Sequence, residues 1–139
     1  MDGLSDQDVA EVLRRAKVIA VVGWSPKPDR PSHRVAAYLA ARGYKVIPVN
    51  PGAAGQAALG TTVRASLSEI AEPVDMVDIF RRAEEVGPVV IEALTLPDVR
   101  VIWMQLGIVN EAAAAQARAT GVTVVMDRCP AIEIPRLGL

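Results

Sequence analysis

The chain has 139 residues, 51% of them hydrophobic, and a formal net charge of −1. This length suits one domain that buries a core without disulfides or metal ions, and the hydrophobic fraction excludes a disordered chain. A nearly neutral chain has no overall attraction to nucleic acid or to an anionic membrane, so any anion site must be local. The single cysteine, Cys129, excludes an internal disulfide framework.

The composition also bears on location and on metals. The apolar runs are of strand length, too short to cross a bilayer, and the acidic N-terminal segment differs from a signal peptide. A lone cysteine suits a reducing compartment, so we expect a cytoplasmic protein. One histidine and one cysteine cannot supply a zinc site, and we expect no metal.

Apolar strands alternate with helices along the chain. Residues 5–16 predict a helix that begins at Ser5, with Asp8 placed to complete a capping box. Residues 17–23 form an apolar run ending in glycine, typical of a strand buried on both faces of a parallel sheet. Pro48 removes one backbone donor from the second strand, which favours an edge or a bulge. The predicted strands are residues 17–23, 44–50, 61–64, 74–80, 99–105 and 121–127. The predicted helices are residues 5–16, 31–42, 66–71, 83–94 and 110–120.

This alternation predicts an α/β fold: a single three-layer Rossmann-like domain, residues 1–139, with a mostly parallel sheet of about five strands. In such sheets, ligands bind beyond the carboxyl ends of the strands, where the strand order reverses. The segments predicted to lie at that edge are residues 23–34, 50–51, 80–82, 105–110 and 127–130.

The loop after the first strand is rich in proline and in cations. Its three prolines fix its shape in advance, which lowers the entropy cost of binding. Lys27, Arg30 and Arg34 against Asp29 give residues 23–34 a net charge of +2. A helix N-terminus follows and adds a positive end, so the loop predicts a phosphate site. The backbone N–H groups expected to be available are those of Ser25, Lys27, Ser32 and His33.

Two markers of an NAD site are missing. After Gly23 the next glycine is Gly43, so the G-x-G-x-x-G pattern is missing, and the second strand ends in Asn50-Pro51 rather than in a carboxylate. A ligand with a phosphorylated ribose fits this arrangement better. The alternative is a solvated loop without a ligand.

Other reactive side chains have both functional and structural interpretations. His33 could be a general base, but no nucleophile accompanies it, so a ligand contact or a surface position is favoured. Cys129 could be a nucleophile or bond to a ligand thiol, although a packed cysteine is the favoured interpretation. Met104 is expected in the core, and Trp103 in the core or against a ligand.

Three aspartates lie in or beside apolar strands, where an unpaired charge would be costly. We expect them to form ion pairs with nearby arginines and so to fix loop geometry. The aspartates are Asp75, Asp78 and Asp127, and the arginines are Arg81, Arg82 and Arg128.

Five segments appear together in one order: VGWSPKPDRPSHRVA, IPVNP, VDIFRRAEEV, WMQLGIVNEAA and MDRCP. Over residues 12–136 the chain resembles the stand-alone CoA-binding domain proteins, relatives of the N-terminal CoA-binding domain of the succinyl-CoA synthetase α subunit. The resemblance implies that residues 23–27 and 32–34 hold the diphosphate of CoA and that residues 105–107 follow the pantetheine arm. It implies that Asn50-Pro51 lies near the adenosine. The ligand contacts so implied, with Arg30 from the cationic loop, are Gly23, Trp24, Ser25, Pro26, Lys27, Arg30, Ser32, His33, Arg34, Asn50, Pro51, Phe80, Arg81, Gln105, Leu106, Gly107, Cys129 and Pro130.

The chain departs from the larger enzymes in two respects. They carry a phosphorylatable histidine in a second domain, whereas the only histidine here, His33, lies in the phosphate loop. Their Asn-Cys-Pro-Gly segment reads Arg-Cys-Pro-Ala around Cys129. Ligase activity is therefore not expected, and a binding module for CoA or a short acyl-CoA is favoured. The alternatives are an NAD(P)-linked oxidoreductase, a CoA-dependent enzyme completed by a partner chain, and a CoA sensor with a protein partner.

Overall fold

The computed structural model of the protein describes residues 2–139. Five parallel strands form one sheet in the order β2-β1-β5-β6-β7, and β3 and β4 form a small antiparallel hairpin. The predicted fold class is confirmed, and the main sheet is wholly parallel. The strands are β1 Val18–Val22, β2 Lys45–Val49, β3 Ala57–Ala58, β4 Thr61–Thr62, β5 Met76–Ile79, β6 Val101–Met104 and β7 Thr123–Val125. The helices are α1 Asp6–Arg15, α2 Pro31–Ala41, α3 Val86–Ala93, α4 Glu111–Ala119 and α5 Pro130–Arg136.

Each face of the sheet has its own core. Helices α3 and α4 pack on one face around side chains such as Val77, Ile79 and Met104. Helices α1, α2 and α5 cover the other face around Val21, Met76 and Trp103. Successive residues of a strand point to opposite faces, so a strand buried on both sides is apolar throughout. Met104 is a core residue as predicted, and Trp103 is also fully buried.

Helix ends follow the sequence signals closely. Ser5 and Asp8 form the predicted capping box at the start of α1. Asn110 caps α4 by accepting the N–H of Ala113. Pro48 lies on β2, which is an edge strand, so that prediction is confirmed.

Two predicted helices need correction, and one helix of the structure was not predicted. The helix predicted at 83–94 begins only at Val86, because residues 83–85 form a 3₁₀ turn. Residues 66–71 contain a 3₁₀ turn rather than an α-helix. Helix α5 was not predicted; it begins at Pro130, a residue suited to a first helical position because it needs no N–H partner there.

Candidate functional site

The strand order reverses between β1 and β5. From β1 the chain crosses to β2 on one side, and it later enters β5 on the other side of β1. Gly23, directly after β1, has a φ of 85°. A Cβ at this position would lie 2.3 Å from the carbonyl oxygen of Phe80, so only glycine lets the two strand ends approach this closely. This crevice is the position where α/β sheets of this type bind ligands.

Hydrogen bonds within the loop fix its shape. The N–H of Ser25 donates to Ser32 Oγ at 3.0 Å, and the N–H of Lys27 donates to Ser25 Oγ at 3.2 Å. The N–H of His33 donates to the carbonyl of Arg30 at 3.1 Å. The prediction that these three N–H groups are free is therefore wrong. The N–H of Ser32, in the first turn of α2, has no acceptor within residues 2–139.

His33 is held in place by two contacts. Its ring stacks on Trp24 with 5.5 Å between ring centroids and an interplanar angle of 27°. Its Nδ1 lies 2.9 Å from the carbonyl oxygen of Ser25, an acceptor, so Nδ1 carries a proton. The imidazole is thus part of the structure that holds the loop in shape.

Asn50 ties the loop after β2 to the loop after β1. Its Nδ2 donates to the carbonyl of Trp24 at 2.7 Å, and its Oδ1 accepts the N–H of Gly52 at 2.8 Å. The neighbouring Pro51 is exposed and begins a 3₁₀ turn. An aspartate at position 50 would have no amide N–H for the Trp24 carbonyl, so the amide has a structural role here.

The three cations of the loop are exposed. Within residues 2–139, none of Lys27, Arg30 and Arg34 forms a salt bridge. Arg34 donates to the backbone carbonyl of Asp29, which leaves its charge uncompensated. Positive charge therefore accumulates at the N-terminus of α2, where the helix dipole has the same sign.

The remaining candidates lie at the same edge, on the next strands. Phe80, after β5, is partly buried, and exposed Arg81 pairs with Glu85 at 2.8 Å. Gln105, after β6, is 5% exposed, whereas Leu106 is 54% exposed. Gly107 is exposed and donates its N–H to Asp127 Oδ1 at 2.7 Å, which joins the loops after β6 and β7.

The aspartates do not form the expected ion pairs. Asp75 accepts the backbone N–H groups of Lys17 and Val18, and Asp127 accepts that of Gly107. Asp78 has no hydrogen-bond partner within residues 2–139. Backbone donors near the strand ends satisfy the first two, so no arginine is needed. The arginines pair with other carboxylates: Arg81 and Arg82 with Glu85, and Arg128 with Asp2 and Glu133.

The buried side-chain polar atoms that lack a partner among residues 2–139 lie on the face of the sheet that α1, α2 and α5 cover. They are Trp24 Nε1, both carboxyl oxygens of Asp78 and Gln105 Oε1. Asp78 is aligned with Val21 of β1 and Trp103 of β6, and Gln105 is two residues beyond Trp103 on the same face. Burial raises the pKa of the Asp78 carboxyl well above its usual value. The sequence places the Asp78 carboxylate inside an apolar run, which predicts that it is buried. The sequence does not predict that it lacks a hydrogen-bond partner.

Cys129 and Pro130 lie where β7 leads into α5. Both are buried, and Cys129 is a free thiol that is 7% exposed. The carbonyl of the neighbouring Arg128 accepts the indole N–H of Trp103 at 2.7 Å, which anchors this turn to the sheet. A cavity of about 370 Å³ adjoins Cys129 and Leu106 at this edge.

A larger groove, of about 800 Å³, lies at the opposite end of the sheet, beside α1, Lys17 and Asp75. It is at the amino ends of the strands, away from the switch point, so its size does not identify it as the ligand site. No group of three or more potential metal ligands occurs within residues 2–139. In the same range, no helix is long and apolar enough to cross a membrane.

Comparisons with known proteins agree with this fold. Residues 17–135 match the model of a family described as the CoA binding domain. An uncharacterized Bacillus subtilis protein, YneT, is 44% identical over 129 residues, which are 93% of each chain. A Thermus thermophilus protein of solved structure is 38% identical with a TM-score of 0.91, over 96% of this chain and 99% of that one. An acetyl-coenzyme A synthetase from Ca. Korarchaeum cryptofilum shares the fold at 21% identity and a TM-score of 0.70, over 91% of this chain and 28% of that one.

Proposed function

The chain belongs to the CoA-binding domain family, and we propose that it binds CoA or a short acyl-CoA as a binding module without self-sufficient catalysis. The ligand lies along the carboxyl edge of the sheet, from the cationic loop after β1 to the turn after β7. The binding claim rests on one observation above all: an unpaired cationic loop at the point where the strand order reverses.

The loop suits a diphosphate because its shape is already fixed. Internal hydrogen bonds hold Ser25, Lys27 and His33, so little conformational entropy is lost when an anion binds. The free N–H of Ser32 and the start of α2 supply the backbone part of the site. The side chains of Lys27, Arg30 and Arg34 supply the positive charge. The site therefore relies more on these side chains, and on fewer backbone N–H groups, than the sequence indicated.

The end of β2 favours a phosphorylated ribose. Asn50 is uncharged and bound to the Trp24 carbonyl, so it neither repels a 3′-phosphate nor offers a carboxylate to a ribose diol. CoA carries this phosphate, and NAD does not.

The geometry of the reactive side chains supports binding without catalysis. The Nδ1 of His33 is engaged with Ser25, and the ring is stacked on Trp24. The thiol of Cys129 is buried. A catalytic Cys–His pair would need the two side chains within hydrogen-bond distance, whereas His33 follows β1 and Cys129 follows β7, three strands away in the sheet.

Calorimetric titration with CoA, dephospho-CoA and NAD tests the proposal. Lys27→Ala and Arg30→Ala are each expected to weaken CoA binding by about 1–3 kcal/mol, because a charge-assisted hydrogen bond to phosphate is lost. CoA is expected to bind more tightly than dephospho-CoA, and NAD more weakly than either.

A matched control is Arg15→Ala, which removes an exposed cation at the opposite end of the sheet. Its dissociation constant for CoA is expected to equal that of the unaltered protein. Unchanged affinity in both loop variants would place the diphosphate elsewhere. Equal affinities for CoA and dephospho-CoA would show that the protein does not recognise the 3′-phosphate. If no ligand gives a heat of binding, the binding proposal is wrong.

A further inference from the structure

The cavity beside Cys129 lies at the far end of the proposed ligand path. Leu106 and Cys129 line it, and both belong to the edge along which the pantetheine arm is proposed to run. Three strand spacings separate β1 from β7, about 14 Å in total, which an extended pantetheine arm can cross. A group attached to the thiol would therefore enter this cavity.

The cavity is negatively charged. Of the residues that the structure describes, four carboxylates and two guanidinium groups line it, a net charge of −2. The carboxylates are ionised at neutral pH where arginines hold them: hydrogen bonds from Arg128 lower the pKa of Asp2 against the opposing effect of burial, and those from Arg136 lower the pKa values of Asp6 and Glu133. The lining carboxylates are Asp2, Asp6, Asp127 and Glu133.

Both arginines of the cavity are already engaged. Arg128 donates from Nε to Asp2 at 3.0 Å and from Nη1 to Glu133 at 2.9 Å, and its Nη2 reaches the carbonyl of Leu4. Arg136 donates to Asp6 at 2.8 Å and to Glu133 at 2.9 Å. An arriving carboxylate would therefore have to displace existing ion pairs to reach a cation.

The rim of the cavity is apolar. Leu106 and Ile132 line it and are 54% and 50% exposed, and they are two of the three exposed large hydrophobic side chains among residues 2–139. A short hydrocarbon would cover them and gain the free energy of burying apolar surface. The cavity thus combines an apolar entrance with an anionic wall.

We propose that this cavity selects CoA carrying a free thiol or a small uncharged acyl group and discriminates against acyl groups that end in a carboxylate. The inference rests on the proposed function, and it specifies the ligand class of the same site. The reason is electrostatic: a second negative charge would face a net negative wall whose two cations are occupied.

Butyryl-CoA and succinyl-CoA are the matched probes, because each has a four-carbon acyl chain and only the terminal group differs. Calorimetry at low ionic strength is expected to give a dissociation constant about tenfold higher for succinyl-CoA than for butyryl-CoA. Added salt is expected to reduce this ratio of dissociation constants, which we call the gap. Butyryl-CoA is expected to bind at least as well as CoA.

Asp127→Asn tests the cause. Asparagine tolerates the left-handed φ of 57° at this position and keeps an oxygen for the N–H of Gly107. In this variant, the ratio of the dissociation constants of succinyl-CoA and butyryl-CoA is expected to fall about threefold. Asp6→Asn is a second variant of the same wall, for use if Asp127→Asn folds poorly. The Asp6 side chain is 65% exposed, so its replacement disturbs little packing. Asp98→Asn, on the exposed surface at the amino end of the sheet, is the control and should leave the gap unchanged.

Two results would overturn the inference alone: CoA binds but succinyl-CoA binds as tightly as butyryl-CoA, or the gap exists and neither cavity variant alters it. Failure of CoA itself to bind would overturn the proposed function and this inference with it.

Discussion

Replacing Gly23 with alanine is expected to destabilise the fold by about 2–5 kcal/mol. About 1–2 kcal/mol comes from the left-handed backbone, where φ is 85°. A further 1–3 kcal/mol or so comes from overpacking, since the new Cβ would lie 2.3 Å from the Phe80 carbonyl oxygen. The strands cannot easily part, because the N–H of Phe80 donates to Val22 at 2.8 Å. Urea denaturation measures the change.

Gly43→Ala is the matched control for this prediction. Gly43 also has a left-handed φ, of 98°, but nothing lies within 4 Å of its Cβ position. It should therefore lose only the conformational part, about 1–2 kcal/mol. Equal losses in the two variants would show that the close approach of β1 and β5 contributes nothing, and the account of the switch point would be wrong.

The fold was largely predictable because most of its strands and helices are indicated by residues close together in the sequence. The runs at 17–23, 74–80 and 99–105 are each apolar at five of seven positions, a pattern typical of strands that are covered on both faces. Pro48 predicted an edge because a missing N–H is tolerated there. Helix α5 was missed because residues 130–136 are short and contain two prolines, and its burial against α1 and α2 is a tertiary effect.

The sequence predicted which segments lie together at the carboxyl edge of the sheet. The carboxyl-end rule selects residues 23–34, 50–51, 80–82, 105–110 and 127–130, and the structure brings all five together at one edge. Hydrogen-bond partners were not predictable. Nothing in the sequence shows that Ser25 and Ser32 bind each other, or that Asp75 caps the start of β1 instead of pairing with an arginine. The first contact depends on how the loop after β1 folds, and the second joins residues that are 58 positions apart in the chain.

The cavity beside Cys129 shows the same limit. Asp2 and Arg128 are separated by 126 positions, yet their side chains are 3.0 Å apart. Residues near the N-terminus therefore shape the end of the proposed ligand path, and no motif indicates this. The proposed acyl-group specificity uses these charges, so it depends on a contact that only the folded structure shows.

Replacing Asp78 with asparagine is expected to stabilise the protein, by an amount that grows with pH. Burial raises the pKa of this carboxyl well above its usual value, so the folded state holds a proton that the unfolded chain releases above about pH 4. As the pH rises through that window, the unaltered protein loses about 1.4 kcal/mol per pH unit from this group, until the pKa of the folded state is passed. Asparagine has nearly the same volume and does not titrate, so the variant avoids this loss.

Urea denaturation of both proteins at several values between pH 5 and 9 measures the difference, and groups that titrate alike in both proteins cancel. Asp75→Asn is the contrasting variant, because Asp75 accepts the N–H groups of Lys17 and Val18 and so has the hydrogen-bond partners that Asp78 lacks. It is expected to destabilise the protein by about 1–3 kcal/mol at neutral pH, since a charged acceptor is lost. If Asp78→Asn shows the same pH dependence as the unaltered protein, the carboxyl is not neutral in the fold, and a partner must reach it between the sheet and the helices that cover it.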